Sequence, residues 1–224
     1  MIEEIKNYYN NLASNYDDNR FKNSYGNYID IQERTFLKNN LPLYTTHKIL
    51  DLGCGTGRFL DFANYGVDIS PKMIEAAKVK FQEKEIKEGS VSSIPYPENF
   101  FEVIYSLHVI MHLNKEITKT FLDEAYKKTK PNGKLIFDFP SAKRRKIVGF
   151  KAINWHGANQ FSVKDIIKMS ETNWKLKKHK GILFLPIHRF PDFIRPFFIS
   201  MDSFLCNSFL KEYASYIIIE LEKK

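Results

Sequence analysis

Cysteine is scarce: Cys54 and Cys206 are the only two in 224 residues. That is too few for a disulfide scaffold, and no Cys-x-x-Cys pair or Cys/His cluster has the spacing of a metal site. Such usage suits a reducing compartment, so a cytoplasmic protein is expected. Long apolar runs are also missing. No stretch approaches the roughly 18 apolar residues of a membrane span, and the start Met1-Ile2-Glu3-Glu4-Ile5-Lys6 is charged rather than apolar. Neither a membrane span nor secretion is expected. Internal repeats and low-complexity segments are absent too.

What is present reads as one folded domain over residues 1–224, with a single core large enough to bury most of the unfolded surface. Hydrophobic content of 43% beside 27% charged residues argues against disorder. The net charge of +8 is uneven: residues 141–224 carry 16 Lys and Arg against 7 Asp and Glu, while residues 1–140 are nearly neutral. Lys143-Arg144-Arg145-Lys146 and the run Lys175, Lys177, Lys178, Lys180 could steer an anionic substrate or a nucleic acid, although a solvated face explains them as well.

Residues 1–42 show helical spacing rich in Tyr and Asn and form an arm that ends at Asn40-Leu41-Pro42, where proline discourages further helix. Residues 46–140 alternate strand and helix. The strands are Lys48–Leu52, Gly66–Ile69, a short one near Ile86–Ser90, the continuous apolar run Phe100–Ser106, and Lys134–Phe139. Ser70-Pro71 starts the second helix as N-cap and first helical residue, and another helix spans about Asn114–Lys128, ending at Pro131-Asn132-Gly133. This alternation predicts a doubly wound, Rossmann-like α/β fold with a mostly parallel sheet and helices on both faces. Residues 141–224 complete the sheet, with Trp174–Leu185 and Tyr213–Leu221 as an antiparallel last pair and a helix begun by Ser162. The apolar stretch Phe190–Leu210, together with Trp155, His156 and Tyr96, is expected to cap a substrate pocket. Contact with lipid is disfavoured because Asp192, Arg195 and Asp202 interrupt it.

The sharpest signal is Ile49-Leu50-Asp51-Leu52-Gly53-Cys54-Gly55-Thr56-Gly57. A strand running into closely spaced glycines lets the backbone approach a ligand where the next helix presents free N–H groups, which implies a nucleotide-like cofactor. The nicotinamide fingerprint wants glycine where Arg58 stands, and a P-loop needs a Gly-Lys-Ser/Thr ending that is not there. The segment resembles motif I of the class I S-adenosylmethionine-dependent methyltransferases: an acidic residue shortly before Gly-x-Gly-x-Gly. Gly66-Val67-Asp68-Ile69-Ser70-Pro71-Lys72-Met73 resembles the family's second strand end, where a carboxylate binds the ribose hydroxyls. Asp68 lies 15 positions after Gly53 against about 20 in dinucleotide folds, so the helix between must be short. Glu88–Pro95 and Phe100–Ser106 resemble the third and fourth strand ends, but Ser90 stands where relatives commonly carry an aspartate for the adenine amine, and Glu102 and Asn132 also depart from the usual residues. Tyr8-Tyr9 and Ala13-Ser14-Asn15-Tyr16-Asp17 resemble the N-terminal arm of the small-molecule members, in which a tyrosine closes over the cofactor.

The resemblance implies S-adenosylmethionine as cofactor, held by Tyr16, Asp51, Gly53, Cys54, Gly55, Gly57, Asp68, Ile69, Met73, Ser90, Val91 and Ser106, with no metal. The expected reaction is methyl transfer to O, N or C of a small acceptor of anionic or aromatic character. Aligning nucleophile and methyl group can supply most of the rate. Where a proton must leave, His108 and His112 are the candidate bases, four residues apart beyond the fourth strand. Two alternatives stay open: an RNA or protein methyltransferase using the basic last third, and a cofactor-binding protein of the same fold without turnover. Against nucleic acid, no Asn-Pro-Pro-Tyr-type motif follows the fourth strand and no appended nucleic-acid module is recognisable.

Overall fold

The computed structural model describes residues 2–13, 16–17, 23–152, 155, 157–191 and 193–224. Seven strands form one sheet in the order β3-β2-β1-β4-β5-β7-β6. They are β1 (Ile49–Leu52), β2 (Tyr65–Asp68), β3 (Glu85–Glu88), β4 (Phe101–Ser106), β5 (Thr129–Pro140), β6 (Trp174–Ile182) and β7 (Tyr216–Lys223). The first five are parallel, and β7 runs antiparallel between β5 and β6. The doubly wound α/β architecture is therefore as the alternation of strand and helix patterns predicts.

Helices cover both faces: α1 (Ile2–Leu12), α2 (Ser24–Asn40), α3 (Pro71–Lys80), α4 (Lys115–Lys128), α5 (Ala142–Ile147), α6 (Val163–Ser170) and α7 (Arg195–Asn207). Alternate strand residues divide the core. Leu50, Leu52 and Ile104 pack with Phe121 and Leu122 of α4 and Ile166 of α6. Ile49, Val103 and Tyr105 pack with Phe36 and Leu37 of α2 and Ala77 of α3. Local chemistry sets the helix starts: Ser70 caps α3 through the Met73 N–H with Pro71 behind it, Asn114 caps α4, and Ser162 forms a reciprocal capping box with Asp165 on α6.

Three details differ from the sequence reading. The connection after β1 carries only a 3-10 turn, Leu60–Phe62, which is how 15 residues suffice to reach Asp68. β5 begins at Thr129, and Pro131-Asn132-Gly133 forms an irregularity within it. Asn132 takes φ +61°, a conformation asparagine tolerates better than most residues. Tyr96 is packed in the core against Tyr65, Phe100 and Phe101.

Lys223, near the end of β7, ties three elements together. Its ammonium donates to the Tyr126 carbonyl at 2.7 Å, the Thr129 carbonyl at 2.7 Å and Asn99 Oδ1 at 2.9 Å, satisfying carbonyls at the end of α4. Lys223→Met strips those acceptors of their donor, and a loss of about 2 kcal/mol is expected in urea unfolding. An unchanged midpoint would show that water replaces the ammonium at no cost.

Candidate active site

A cavity of about 800 Å³, counted with its open mouth, lies over the carboxyl ends of β1, β2 and β4. This is where ligands bind in open α/β sheets. Its floor is the turn after β1. The Gly53 and Cys54 N–H groups donate to the Val67 carbonyl at 2.7 and 3.0 Å, and the Gly55 N–H donates to Asp68 Oδ2 at 2.8 Å. The turn is thus tied to the end of β2. Gly55 has φ +53° and no atom within 4 Å of where a Cβ would stand, so its missing side chain is open cavity. At Gly53, φ is +81° and a Cβ would meet Val109 Cγ2 at 2.4 Å.

Asp68 lines the cavity. Its Oδ1 accepts from the Ser70 N–H at 2.8 Å, so each oxygen keeps a further lone-pair direction for a ligand. Burial pushes its pKa up, against the N–H groups of Ser70, Gly55 and Ile69. Behind the turn, Asp51 is wholly buried, with Oδ2 lacking any hydrogen-bond partner. Burial and then the Asp68 charge raise its pKa, while Arg58 opposes them.

Of the residues expected to hold the cofactor, Tyr16, Gly53, Gly55, Asp68, Ile69, Met73, Ser90 and Val91 line this cavity. Asp51, Cys54, Gly57 and Ser106 do not. The Cys54 side chain points into the core, where burial raises its thiol pKa and makes it inert. Gly57 lies under the Phe81 ring, 2.8 Å from where a Cβ would be, and serves close packing. The Ser106 hydroxyl donates to the Leu52 carbonyl at 2.7 Å, joining β4 to β1 below the floor.

The arm forms the opposite wall. Ile2, Ile5 and Tyr9 of α1 face the cavity together with Tyr16. Sequence reasoning named Tyr9 only as part of the arm and passed over Ile2 and Ile5, although the i, i+3, i+7 spacing of Ile2, Ile5 and Tyr9 marks one helical face. Asn10 Oδ1 accepts from the Ser70 hydroxyl at 2.6 Å, and Asp17 Oδ1 accepts from the Thr56 hydroxyl at 2.5 Å while Lys80 pairs with the same carboxylate. These contacts pin the end of α1 and the segment just after it to the turn and to α3. Ser14 and Asn15, quoted for the arm, lie outside the described residues.

Both histidines line the cavity in different states. His112 is buried between the Tyr9 and Trp155 rings. Its Nδ1 lies 3.2 Å from the Gly157 N–H, which can only donate, so a neutral ring carries its proton on Nε2, 2.9 Å from Tyr9 Oη. His108 has φ +61° and sits between two buried carboxylates, with Nε2 2.8 Å from Glu33 Oε1 and Nδ1 3.8 Å from Asp138 Oδ2. Burial lowers its pKa, but the charges of Glu33 and Asp138 outweigh that and hold it above the usual value, which favours the cation over the neutral form a base requires. Among the described residues, none from 190 to 210 lines the cavity, and His156 lies outside them.

A glycine turn bound to a strand-end carboxylate beneath an apolar cavity is the arrangement of a ligand site in an open α/β sheet. Residues 50–137 match the methyltransferase domain family. The chain is 29% identical to an uncharacterized protein of Methanocaldococcus jannaschii, over 95% of this chain and 88% of that one. It is also 31% identical over 107 residues to phosphoethanolamine N-methyltransferase of Plasmodium falciparum, a match that spans 43% of this chain and 40% of that enzyme. An S-adenosylmethionine-dependent methyltransferase structure from Thermotoga maritima has the same fold, with a TM-score of 0.65 at 18% identity over 88% of this chain and 90% of that one. Residues 50–137 are thus similar to the methyltransferase domain family, and the chain has the fold of S-adenosylmethionine-dependent methyltransferase structures. Among the described residues, no helix is long and apolar enough to cross a membrane.

Proposed function

We propose that the protein transfers the methyl group of S-adenosylmethionine to O, N or C of a small molecule. The observation that carries this reading is Asp68 at the cavity edge, bonded to the Gly55 N–H where a Cβ would enter open space. That pair fits the cofactor: the carboxylate offers two acceptors to a vicinal diol, and the bare glycine admits the rest of the nucleoside. Val67, Ile69, Met73 and Val91 present apolar contact for a base, and the Ser90 hydroxyl on the same lining offers it a polar partner. When bound, S-adenosylmethionine supplies an electrophilic methyl on a sulfonium.

Residues lining the cavity would align and shield that methyl group. Ile5 and Tyr16 cover the cavity from the arm side and exclude water. With the proton of His112 on Nε2, that N–H donates to Tyr9 Oη and fixes the tyrosine oxygen as a hydrogen-bonding point for the acceptor. His112 thereby acts as a positioning residue, and Tyr9 touches the acceptor. Nitrogen acceptors such as phosphoethanolamine, the substrate named for the Plasmodium relative, are the first to try.

Isothermal titration with S-adenosylmethionine and S-adenosylhomocysteine tests the cofactor; no heat with either at about 1 mM would end the proposal. In a screen with methyl-labelled cofactor and metabolite extract, Tyr9→Phe is expected to lower kcat about 10- to 100-fold while cofactor affinity changes less than about threefold. Equal activity in Tyr9→Phe would remove the tyrosine from the reaction.

The basic last third supports a second reading, a nucleic acid or protein acceptor. Several of its cations are already paired: Lys143 with Glu212, Lys177 with Glu222, and Lys178 with Glu220. Steeply salt-dependent retention on RNA would favour that reading.

A further inference from the structure

Glu33 of α2, His108 of the loop after β4 and Asp138 of β5 come from three separate parts of the chain and meet beside the cavity. One donor atom from each lies within 4.8 Å of the other two. Glu33 and Asp138 are 0% and 2% exposed, and His108 lines the cavity.

The contact between Glu33 Oε1 and His108 Nε2 is 2.8 Å long, yet both atoms are buried without a hydrogen-bond partner. Two ligands about 2.1 Å from one metal ion and at right angles to each other stand about 3 Å apart, and no proton need lie on the line between them. The distance therefore fits two neighbouring corners of a coordination shell.

The surroundings hold these donors in place. Glu33 Oε2 accepts from Arg58 Nη2 at 2.9 Å, which turns Oε1 inward, and the Arg58 charge is shared with Asp30 through Nε at 2.8 Å. Asp138 Oδ1 accepts from the His108 backbone N–H at 2.6 Å and so stabilises the left-handed backbone that brings the ring between the carboxylates. Outer hydrogen bonds of this kind orient metal ligands in known sites. Arg34 and Asp61 extend the balanced charges outward.

We propose that Glu33, His108 and Asp138 form a divalent metal site whose open positions face the cavity. Two carboxylate oxygens and one imidazole nitrogen suit Mn2+, Fe2+ or Zn2+ better than Mg2+. The bound dication takes the place of a proton on His108 and neutralises both carboxylates. Its remaining positions can take water or an oxygen of a ligand. The inference holds whether or not the protein transfers methyl groups.

The test uses the full chain stripped with EDTA and titrated with Mn2+ near neutral pH, following the free-ion electron paramagnetic resonance signal. One saturable ion per chain is expected, with coupling to an imidazole nitrogen that disappears in His108→Gln. Glu33→Gln and Asp138→Asn are expected to weaken binding about tenfold or more, while Glu88→Gln, on the surface, leaves it unchanged. Circular dichroism shows which variants fold. His108→Gln serves if the carboxylate variants do not, because its side chain is 24% exposed. Failure of the folded wild type to take up Mn2+ at about 1 mM overturns the proposal, and so does binding that all three ligand variants leave intact.

Discussion

Gly55→Ala is expected to leave the protein folded and to weaken S-adenosylhomocysteine binding about tenfold or more. The two effects separate because of where the Cβ would go. It meets no atom of the protein within 4 Å and enters the volume assigned to the nucleoside. The cost to folding is that of an alanine at φ +53°, about 1 to 2 kcal/mol, since the left-handed region crowds Cβ against the carbonyl. Gly53→Ala makes the contrast. There the same backbone penalty adds to a contact of 2.4 Å with Val109, so stability falls further. Parallel urea unfolding and calorimetric titration of the two variants decide the matter. If Gly55→Ala binds the nucleoside as wild type does, the ligand lies elsewhere and the assignment of this cavity fails.

Asp202→Ala is expected to produce the largest loss of stability away from the cavity, about 4 kcal/mol. In the sequence Asp202 looks like a charge interrupting an apolar stretch; in the structure it is fully buried on the inner side of α7. Its Oδ2 accepts from the Tyr28 hydroxyl at 2.8 Å and from Gln32 Nε2 at 2.7 Å, and its Oδ1 accepts from the Leu185 N–H at 2.6 Å. Gln32 continues the network by accepting from the Leu183 N–H at 2.8 Å. Burial and then the Asp202 charge push the Cys206 thiol up to about 12. Removing the carboxylate takes an acceptor from the buried Tyr28 hydroxyl, from the Gln32 amide, which still donates to Tyr28 Oη at 3.1 Å, and from the part-buried Leu185 N–H, each costing on the order of 1 to 3 kcal/mol less what water recovers. The urea midpoint should fall with an unchanged slope. A shift below about 1 kcal/mol would mean that the α2–α7 contact tolerates water, and the network would then be structurally minor.

With Asp202 turned inward, α7 shows solvent an apolar face that includes Phe197 and Phe204, while Phe198 packs on the core. An apolar stretch read along the chain does not say which rings face inward. That is why Phe190–Leu210 looked like a pocket cap and the structure puts none of its described residues at the cavity. Tyr96 shows the same ambiguity: its ring is equally suited to a core and to a pocket, and the neighbours Tyr65 and Phe100 are what decide.

The parts of the site that could be read in advance are those whose partners lie close along the chain. The glycine turn, the Ser70-Pro71 helix start and the carboxylate ending β2 all fall within residues 51–71, and the backbone rules that govern them act over a few residues. Ile5 and Tyr9 were within reach of the same reasoning through helical spacing. The Asp17–Thr56 hydrogen bond, the Tyr9–His112 pair and the meeting of Glu33, His108 and Asp138 were not. Their members are separated by tens of residues, and no periodicity links them.

The order of residues alone determined the strand and helix alternation, the helix starts and the turn beneath the cavity, because these follow from backbone conformation and from local capping. Packing decided which of two histidines four residues apart rests between buried carboxylates and which leans on a tyrosine. Each outcome depends on how α1, α2 and β5 approach the loop after β4, and only the closed sheet with its two helical layers brings those elements to one place.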